Sequence, residues 1–261
     1  MIGHNKQDKA GSPLAILGVW YRQELVLLLR EPMAVFFSLA LPLIIYLFIG
    51  LPYAEELIPN TQTKFIDMMF PSLIGTVAAN LLLMGLPIYV AELRARQVDK
   101  RYRVLPLSGL SFGTAIILAM LTLTIVAATI IVVIVGIQHG LRAEATAPLF
   151  ILLNLGLIAF LCGLGFFLGT LPFGARTINA LTAAVFFVFF FGSGAAVPLD
   201  NLPTVIQNIL EWNPLKIWFD ALIAVYTGSP FPQGGVWKIT ITLVLSLVLG
   251  LIGLKNWRRR Q

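Results

Sequence analysis

Apolar residues in this chain run almost unbroken for some twenty positions at a time, with short polar connectors between them. A helix rises 1.5 Å per residue, so crossing a hydrocarbon core of about 30 Å takes roughly 20 apolar residues. Six stretches meet that length, at about 33–52, 65–90, 111–136, 147–170, 178–197 and 236–254. None carries a charge near its centre, and Asp67 lies at the start of the second. A central Lys, Arg or Asp costs about 2.5–3.5 kcal/mol on insertion scales, so the pattern predicts six spanning helices. Only Leu171 to Thr177, with Pro172, Gly174 and Arg176, separates the fourth from the fifth, which makes them an antiparallel pair.

Three segments outside the spans have patterns of their own. From Pro13 to Arg30, Leu14, Leu17, Tyr21, Leu25 and Leu28 recur at steps of three and four, with Arg22, Gln23 and Arg30 elsewhere on the wheel. That spacing predicts an amphipathic helix over 13–30 in the membrane interface, or else an extension of the first span. Glu31-Pro32 favours a break, because proline cannot continue the hydrogen-bond ladder. Residues 91–110 hold Glu92, Arg94, Arg96, Asp99, Lys100, Arg101 and Arg103 among Leu93, Val98, Tyr102, Val104 and Leu105, and close on Pro106-Leu107-Ser108-Gly109. A short helix parallel to the membrane fits this pattern, as does an ordinary basic loop. In 198–235, two half-length apolar segments flank Trp212-Asn213-Pro214, a cap residue followed by a first-turn proline. About ten residues rise only about 15 Å, half a hydrocarbon core, so a re-entrant hairpin is expected there, with an external loop as the alternative.

Composition narrows the class further. With 58% hydrophobic and 11% charged residues, the chain cannot supply the polar shell that a water-soluble fold of its length needs. Its net charge of +6 is spread over short clusters between apolar runs, the pattern of membrane loops rather than of a nucleic-acid surface, so no nucleic-acid partner is expected. Lys and Arg divide fourteen to four between the two sets of connectors. The rich set, 1–31, 91–110, Arg176 and the tail from Lys255, is assigned to the cytosol, with both termini inside. The polar start before the first run, with no small-residue cleavage pattern behind that run, predicts a retained helix and not a signal peptide. No internal repeat or low-complexity linker divides the chain, so residues 1–261 are read as one membrane domain.

The chemistry of an enzyme is missing from the spans. Cys162 is the one cysteine, and His4 and His139 both lie in connectors, so neither a disulfide framework nor a metal centre is expected. There is no G-x-x-x-x-G-K-[ST] loop for ATP, no H-E-x-x-H, no G-x-S-x-G and no carboxylate pair within a span. Intramembrane hydrolases and ion-driven carriers need such groups at membrane depth. What the spans do carry is mild: Thr76, Asn80, Asn154, Asn179, Thr182 and Ser193. A transporter of this kind must take its energy from a partner.

The order of these parts resembles the permease subunits of type-2 ATP-binding-cassette exporters, of the multidrug and daunorubicin-resistance kind. The segment ending Leu28-Leu29-Arg30-Glu31-Pro32 resembles the family's connecting helix. The run Glu92-Leu93-Arg94 through Lys100-Arg101-Tyr102-Arg103-Val104-Leu105-Pro106-Leu107-Ser108 resembles its coupling segment, although Arg94-Ala95-Arg96 stands where the family usually has a Gly-Thr pair. The run from Gly192 to Pro203, followed by Asn213-Pro214-Leu215 and Asp220-Ala221-Leu222, resembles its outer re-entrant hairpin.

The resemblance implies an all-α membrane protein: six transmembrane helices, an N-terminal interfacial helix, a cytosolic coupling helix and an extracellular helical hairpin. It implies a second permease subunit, identical or different, and two ATPase subunits that hold ATP and Mg²⁺, with no cofactor on this chain and membrane lipid around it. Glu92, Arg94, Arg96, Arg101, Arg103 and Pro106 become the candidate ATPase-coupling residues. A translocation path along the second and fifth spans would use Thr76, Asn80 and Met84 on one helix face and Asn179, Thr182, Phe186, Phe190 and Ser193 on another. The second of these faces lines either an apolar cavity at the dimer seam or lipid, with Phe187 and Phe191 forming a neighbouring stripe. Gly85-Leu86-Pro87 is expected to kink the second span. The function implied is ATP-driven export of a hydrophobic or amphipathic small molecule across the bacterial inner membrane. Export of a lipid-linked glycan, a non-transporting assembly or sensor subunit, and a membrane enzyme are the rival readings.

Overall fold

The computed structural model describes residues 13–30, 32–58, 61–96, 109–195 and 202–259, and these are helical wherever they are regular, apart from one isolated Leu57–Lys64 bridge. Helix α1 (Pro13–Leu29) ends shortly before Pro32 opens the next helix. Helix α2 runs from Pro32 to Ile45, widens into a π turn at Tyr46–Gly50 and closes with Leu51–Tyr53. Helix α3 has the same build: Phe65–Ala79, a π turn at Asn80–Gly85, then Leu86–Ala95. Then follow α4 (Gly109–His139), a 3₁₀ turn (Ala143–Thr146), α5 (Pro148–Gly169), α6 (Ala175–Phe191), α7 (Thr204–Leu210), α8 (Pro214–Thr227) and α9 (Gly235–Arg259).

Both π turns precede the same tripeptide, Gly50-Leu51-Pro52 and Gly85-Leu86-Pro87. A proline has no N–H to return and its ring crowds the carbonyl four residues back. The residue before it takes up the misfit by reaching one position further: Leu51 N–H donates to Tyr46 O, and Leu86 N–H to Leu81 O. The deformation expected at Gly85-Leu86-Pro87 is therefore a widened turn.

Among the described residues, four helices are long and apolar enough to cross a membrane: Phe65–Ala95, Phe112–His139, Pro148–Gly169 and Gly235–Arg258. The expected first and fifth spans are represented by the shorter apolar helices Leu39–Tyr53 and Ala175–Phe191. The helical backbone of α2 nonetheless begins at Pro32. Helix α6 starts earlier than the apolar run suggested and stops at Phe191, after 17 residues or about 25 Å. Its end is set by Gly192-Ser193-Gly194, where Gly194 takes φ +83°, a left-handed conformation that ends a helix.

Helix α3 is the centre of the bundle. Within its span window 67% of residues are buried, against 22% in α9, which therefore lies at the periphery. It packs on α2, α4, α5, α6 and α8. The close approach of α5 depends on glycine: a Cβ on Gly165 would stand 1.9 Å from the Leu82 carbonyl oxygen in the π turn of α3. On another side of α5, Gly163 admits Ser246 of α9, whose hydroxyl donates to Phe160 O at 2.6 Å. Small residues and one interhelical hydrogen bond are how helices associate where lipid removes the hydrophobic incentive.

Between α6 and α9 the described residues form two helices, α7 and α8, on either side of Trp212-Asn213. Asn213 caps α8, its Oδ1 accepting from Leu215 N–H at 2.9 Å with Pro214 in the first turn, and Gly228 at φ +71° ends the helix. Helix α8 buries Leu215, Trp218, Phe219, Leu222 and Tyr226 against α3 and α5. By contrast α7 leaves Val205 and Ile209 exposed.

Candidate functional site

The C-terminal end of α3 carries the described part of the basic segment, up to Arg96. Glu92 and Arg96 form an exposed i,i+4 pair at 3.7 Å, with the Arg96 side chain 70% accessible. Such a pair contributes little to stability and leaves the guanidinium available to a partner. Arg94 does something else. It points inward and its Nη1 donates to Gly169 O and Leu171 O, each at 2.6 Å, at the far end of α5. Asp99, Lys100, Arg101, Arg103 and Pro106 lie outside the described residues.

The same end of α3 is tied to α1. The Tyr89 hydroxyl donates to the Glu24 carboxylate, and Glu24 is buried in the face by which α1 packs on the bundle. Burial raises the Glu24 pKa above the usual carboxylate value, and the Tyr89 hydrogen bond offsets part of that. Farther along, Tyr21 and Thr122 share a 2.9 Å hydrogen bond, and Trp20 meets Phe112 edge to face. The buried stripe of α1 is thus Trp20, Glu24 and Leu28, flanked by Leu17, Tyr21 and Leu25, while Leu14 is exposed. The apolar spacing located this face but gave no sign that a glutamate sat within it.

The residues expected along the second and fifth spans are dispersed. Thr76 is buried and its hydroxyl donates to Ser72 O at 2.7 Å within its own helix. Asn80 opens the π turn and Met84 lies within it, both half-buried. Thr182, Phe186 and Phe190 on α6, and Ser193 just past its end, are buried within the single chain, where α6 meets α3 and α8. Phe186 and Phe190 stack nearly parallel with centroids 5.7 Å apart. Of the five residues on this predicted face, Asn179 alone is exposed. The accessible stripe is the neighbouring one, with Phe187, Val188 and Phe191 at 44%, 67% and 53% exposure. Both stripes are apolar, so periodicity located them without deciding which one the protein covers.

Two polar clusters join the loops at the opposite end of the bundle, and neither was singled out from sequence. His139 Nδ1 lies 3.1 Å from Glu55 Oε1 and its Nε2 lies 2.9 Å from the Tyr46 hydroxyl, which also contacts Gln138. Lys64 completes this cluster on Glu55, whose carboxyl is held below its ordinary pKa first by the Lys64 hydrogen bond and then by that of His139. In the second cluster Arg142 pairs with Asp67 at 3.4 Å and Glu144 at 3.6 Å, and its N–H donates to the Tyr226 hydroxyl. These contacts bind α2 to α4 and α3 to α8. Their signal in the sequence was only that charges recur in every connector on that side.

A groove of about 370 Å³ lies between α3, α4 and α5, and Thr124, Thr129 and Asn154 line it among Ile, Leu and Ala. Asn154 donates to Phe150 O on its own helix. Among the described residues no group of His, Cys, Asp and Glu is placed to hold a metal ion.

The family model described as ABC-2 type transporter matches residues 17–227, from within α1 to the last residue of α8. Among curated proteins none matches the chain.

Proposed function

The chain belongs to the ABC-2 type transporter family, and on that premise we propose that it is the permease subunit of an ATP-driven exporter of hydrophobic or amphipathic small molecules. As a member of that family it is the membrane component of a transporter whose partner is an ABC ATPase. In our reading it spans the bacterial inner membrane six times with both termini in the cytosol, α2 and α6 supplying the two spans beyond the four long helices. Helices α7 and α8 form the outer re-entrant hairpin. Two copies, or this chain and a second permease, enclose the path, and two ATPase subunits carry ATP and Mg²⁺.

The observation that carries this reading is the cytosolic end of α3. There the exposed Glu92–Arg96 pair continues into a strongly basic run, and the buried Glu24–Tyr89 contact fastens the same helix end to α1. A basic rim beside an anchored helix suits docking of an ATPase, because charge complementarity sets encounter and register. Arg96, Arg101 and Arg103 are the docking cations in this scheme, with Glu92 beside them and Pro106 ending the segment. The path runs along α3 and α6, from Thr76, Asn80 and Met84 to Asn179. The buried Thr182, Phe186, Phe190 and Ser193 set the shape of the wall, and Phe187 and Phe191 face the second copy.

Co-expression with the ATPase encoded beside it tests the proposal. A stable complex with altered ATP hydrolysis is expected, weakened on the order of tenfold by Arg101→Glu with Arg103→Glu. Absence of any ATPase complex would remove the reading. Export of a lipid-linked glycan is a second reading, drawing on the Trp212–Trp237 pair, whose exposed rings meet edge to face at 5.5 Å. Stimulation of ATP hydrolysis by a lipid-linked sugar, and not by hydrophobic cations, would favour it.

A further inference from the structure

Arg94 stands two residues before Arg96, and its side chain is half-buried against the end of α5. There it donates 2.6 Å hydrogen bonds to Gly169 O and Leu171 O. Helix ends leave their last carbonyls without intrahelical donors, and the dipole makes that end partly negative. In α5 the Thr170 and Leu171 N–H groups cover the carbonyls of Phe166, Phe167 and Leu168. Gly169 O and Leu171 O, which follow, are the two that Arg94 takes. A guanidinium is suited to this task, being permanently charged and offering several donors in a fixed plane.

The position of those carbonyls gives the contact its consequence. After Leu171 only Pro172, Phe173 and Gly174 intervene before α6 begins at Ala175. Pro172 has a fixed φ and restricts the residue before it, so this link is short and stiff. Above the contact, α5 lies directly on the backbone of α3: a Cβ on Gly169 would stand 2.9 Å from Pro87 Cα and 2.8 Å from Val90 Cβ. The last two turns of α3 therefore move with the end of α5, and that end is joined to the start of α6.

We propose that Arg94 is a positioning residue that fastens the cytosolic coupling segment to the α5–α6 turn, so that displacement of the segment by the ATPase is delivered to α6. The inference rests on the permease reading above and reassigns Arg94 within it, from docking to transmission. An ATPase carboxylate would have to displace two short charge-assisted bonds to recruit Arg94, whereas Arg96 is accessible and only loosely paired.

The test uses the full chain in nanodiscs with its ATPase, in a Cys162→Ala background with a spin label at Phe173→Cys in the turn. ATP with vanadate is expected to shift the label between two mobility states. Arg94→Gln should cut that shift, per vanadate-trapped nucleotide, by about tenfold, the scale of one lost charge-assisted hydrogen bond. Arg94→Lys, which keeps the charge as a point donor, should fall between the two. Melting temperature is recorded throughout, since a merely structural role would lower the shift and the melting temperature together across both variants. An undiminished shift in Arg94→Gln would overturn the inference, as would a turn label that never responds while the complex hydrolyses ATP. Should Arg94→Gln fail to assemble, an undiminished shift in Arg94→Lys overturns it equally. A chain that binds no ATPase at all fails at the earlier step and takes the permease reading with it.

Discussion

At the scale of single residues, two polar side chains do work that their neighbours cannot. Glu24 is a carboxylate buried in the seam between α1 and the bundle, and burial raises its pKa from an ordinary 4.5. An acid with a raised folded-state pKa holds its proton more tightly when folded. Stability is therefore full below the ordinary carboxylate pKa and declines as pH rises through the raised value. Glu24→Gln keeps an oxygen for the Tyr89 hydroxyl and removes the charge, so its melting temperature should exceed the parent's at neutral pH. The gap should close as pH is lowered towards 4.5, and a gap independent of pH would show that desolvation of the charge is not the cause. Asn213 has two tasks: Oδ1 caps α8, and Nδ2 donates to Phe189 O of α6 at 2.8 Å. Removing a capping side chain costs about 1 kcal/mol. Asn213→Ala loses both contacts and should melt lower than Asn213→Asp, which retains the cap alone; equal melting would assign the whole effect to the Phe189 hydrogen bond.

At the scale of elements, the interface of α3 with α5 is set by missing side chains, and its tightest point is Gly165. The Leu82 carbonyl sits where a Cβ of residue 165 would be, and Leu82 belongs to the π turn that Pro87 imposes. Overpacking a tight contact costs about 1–3 kcal/mol, and here the obstruction is backbone, which cannot rotate aside. Gly165→Ala should therefore fall at the upper end of that range in thermal melts, while Gly174→Ala, with nothing within 4 Å of the new atom, should stay near the parent. This interface also marks what was legible in the sequence. Breaks written in proline and glycine could be read directly: Glu31-Pro32 between α1 and α2, Asn213-Pro214 at the start of α8, and the short 171–174 turn. So could the helices themselves, because twenty apolar residues have few alternatives. What could not be read was direction. In a lipid-facing helix both sides are apolar, so nothing in the residue types of α6 separates the buried Phe186 and Phe190 from the exposed Phe187 and Phe191. Arginine gives no more guidance, since Arg94 turned inward and Arg96 turned outward occupy one charged run. Glu24 was hidden for a related reason: one carboxylate in an amphipathic helix is ordinarily solvated, and its burial depends on where Tyr89, 65 positions away, is brought by the fold.

At the scale of the whole molecule, the distribution of charge and the location of its partners make one arrangement self-consistent. The side poor in Lys and Arg closes its loops with internal pairs, Glu55 with Lys64 and His139, Arg142 with Asp67 and Glu144, Lys238 with Glu211. Its cations are thus largely neutralised by nearby carboxylates. The rich side keeps an excess of positive charge, and the rule that such loops stay in the cytosol counts Lys and Arg rather than net charge. Six crossings follow only if α2 and α6 span, although α6 alone covers about 25 Å of a core of about 30 Å. Two positions decide the matter, because they lie at opposite ends of the bundle and are both exposed. Phe173 is in the α5–α6 turn and Gln233 is between α8 and α9. In a Cys162→Ala background, a membrane-impermeant maleimide applied to intact cells should label Gln233→Cys and leave Phe173→Cys unmodified until the cells are opened. The reverse pattern would invert the protein and set the basic segment outside, away from any ATPase. Labelling of both positions in intact cells would mean that α6 does not cross, leaving α3 and α5 to form the inner wall without it.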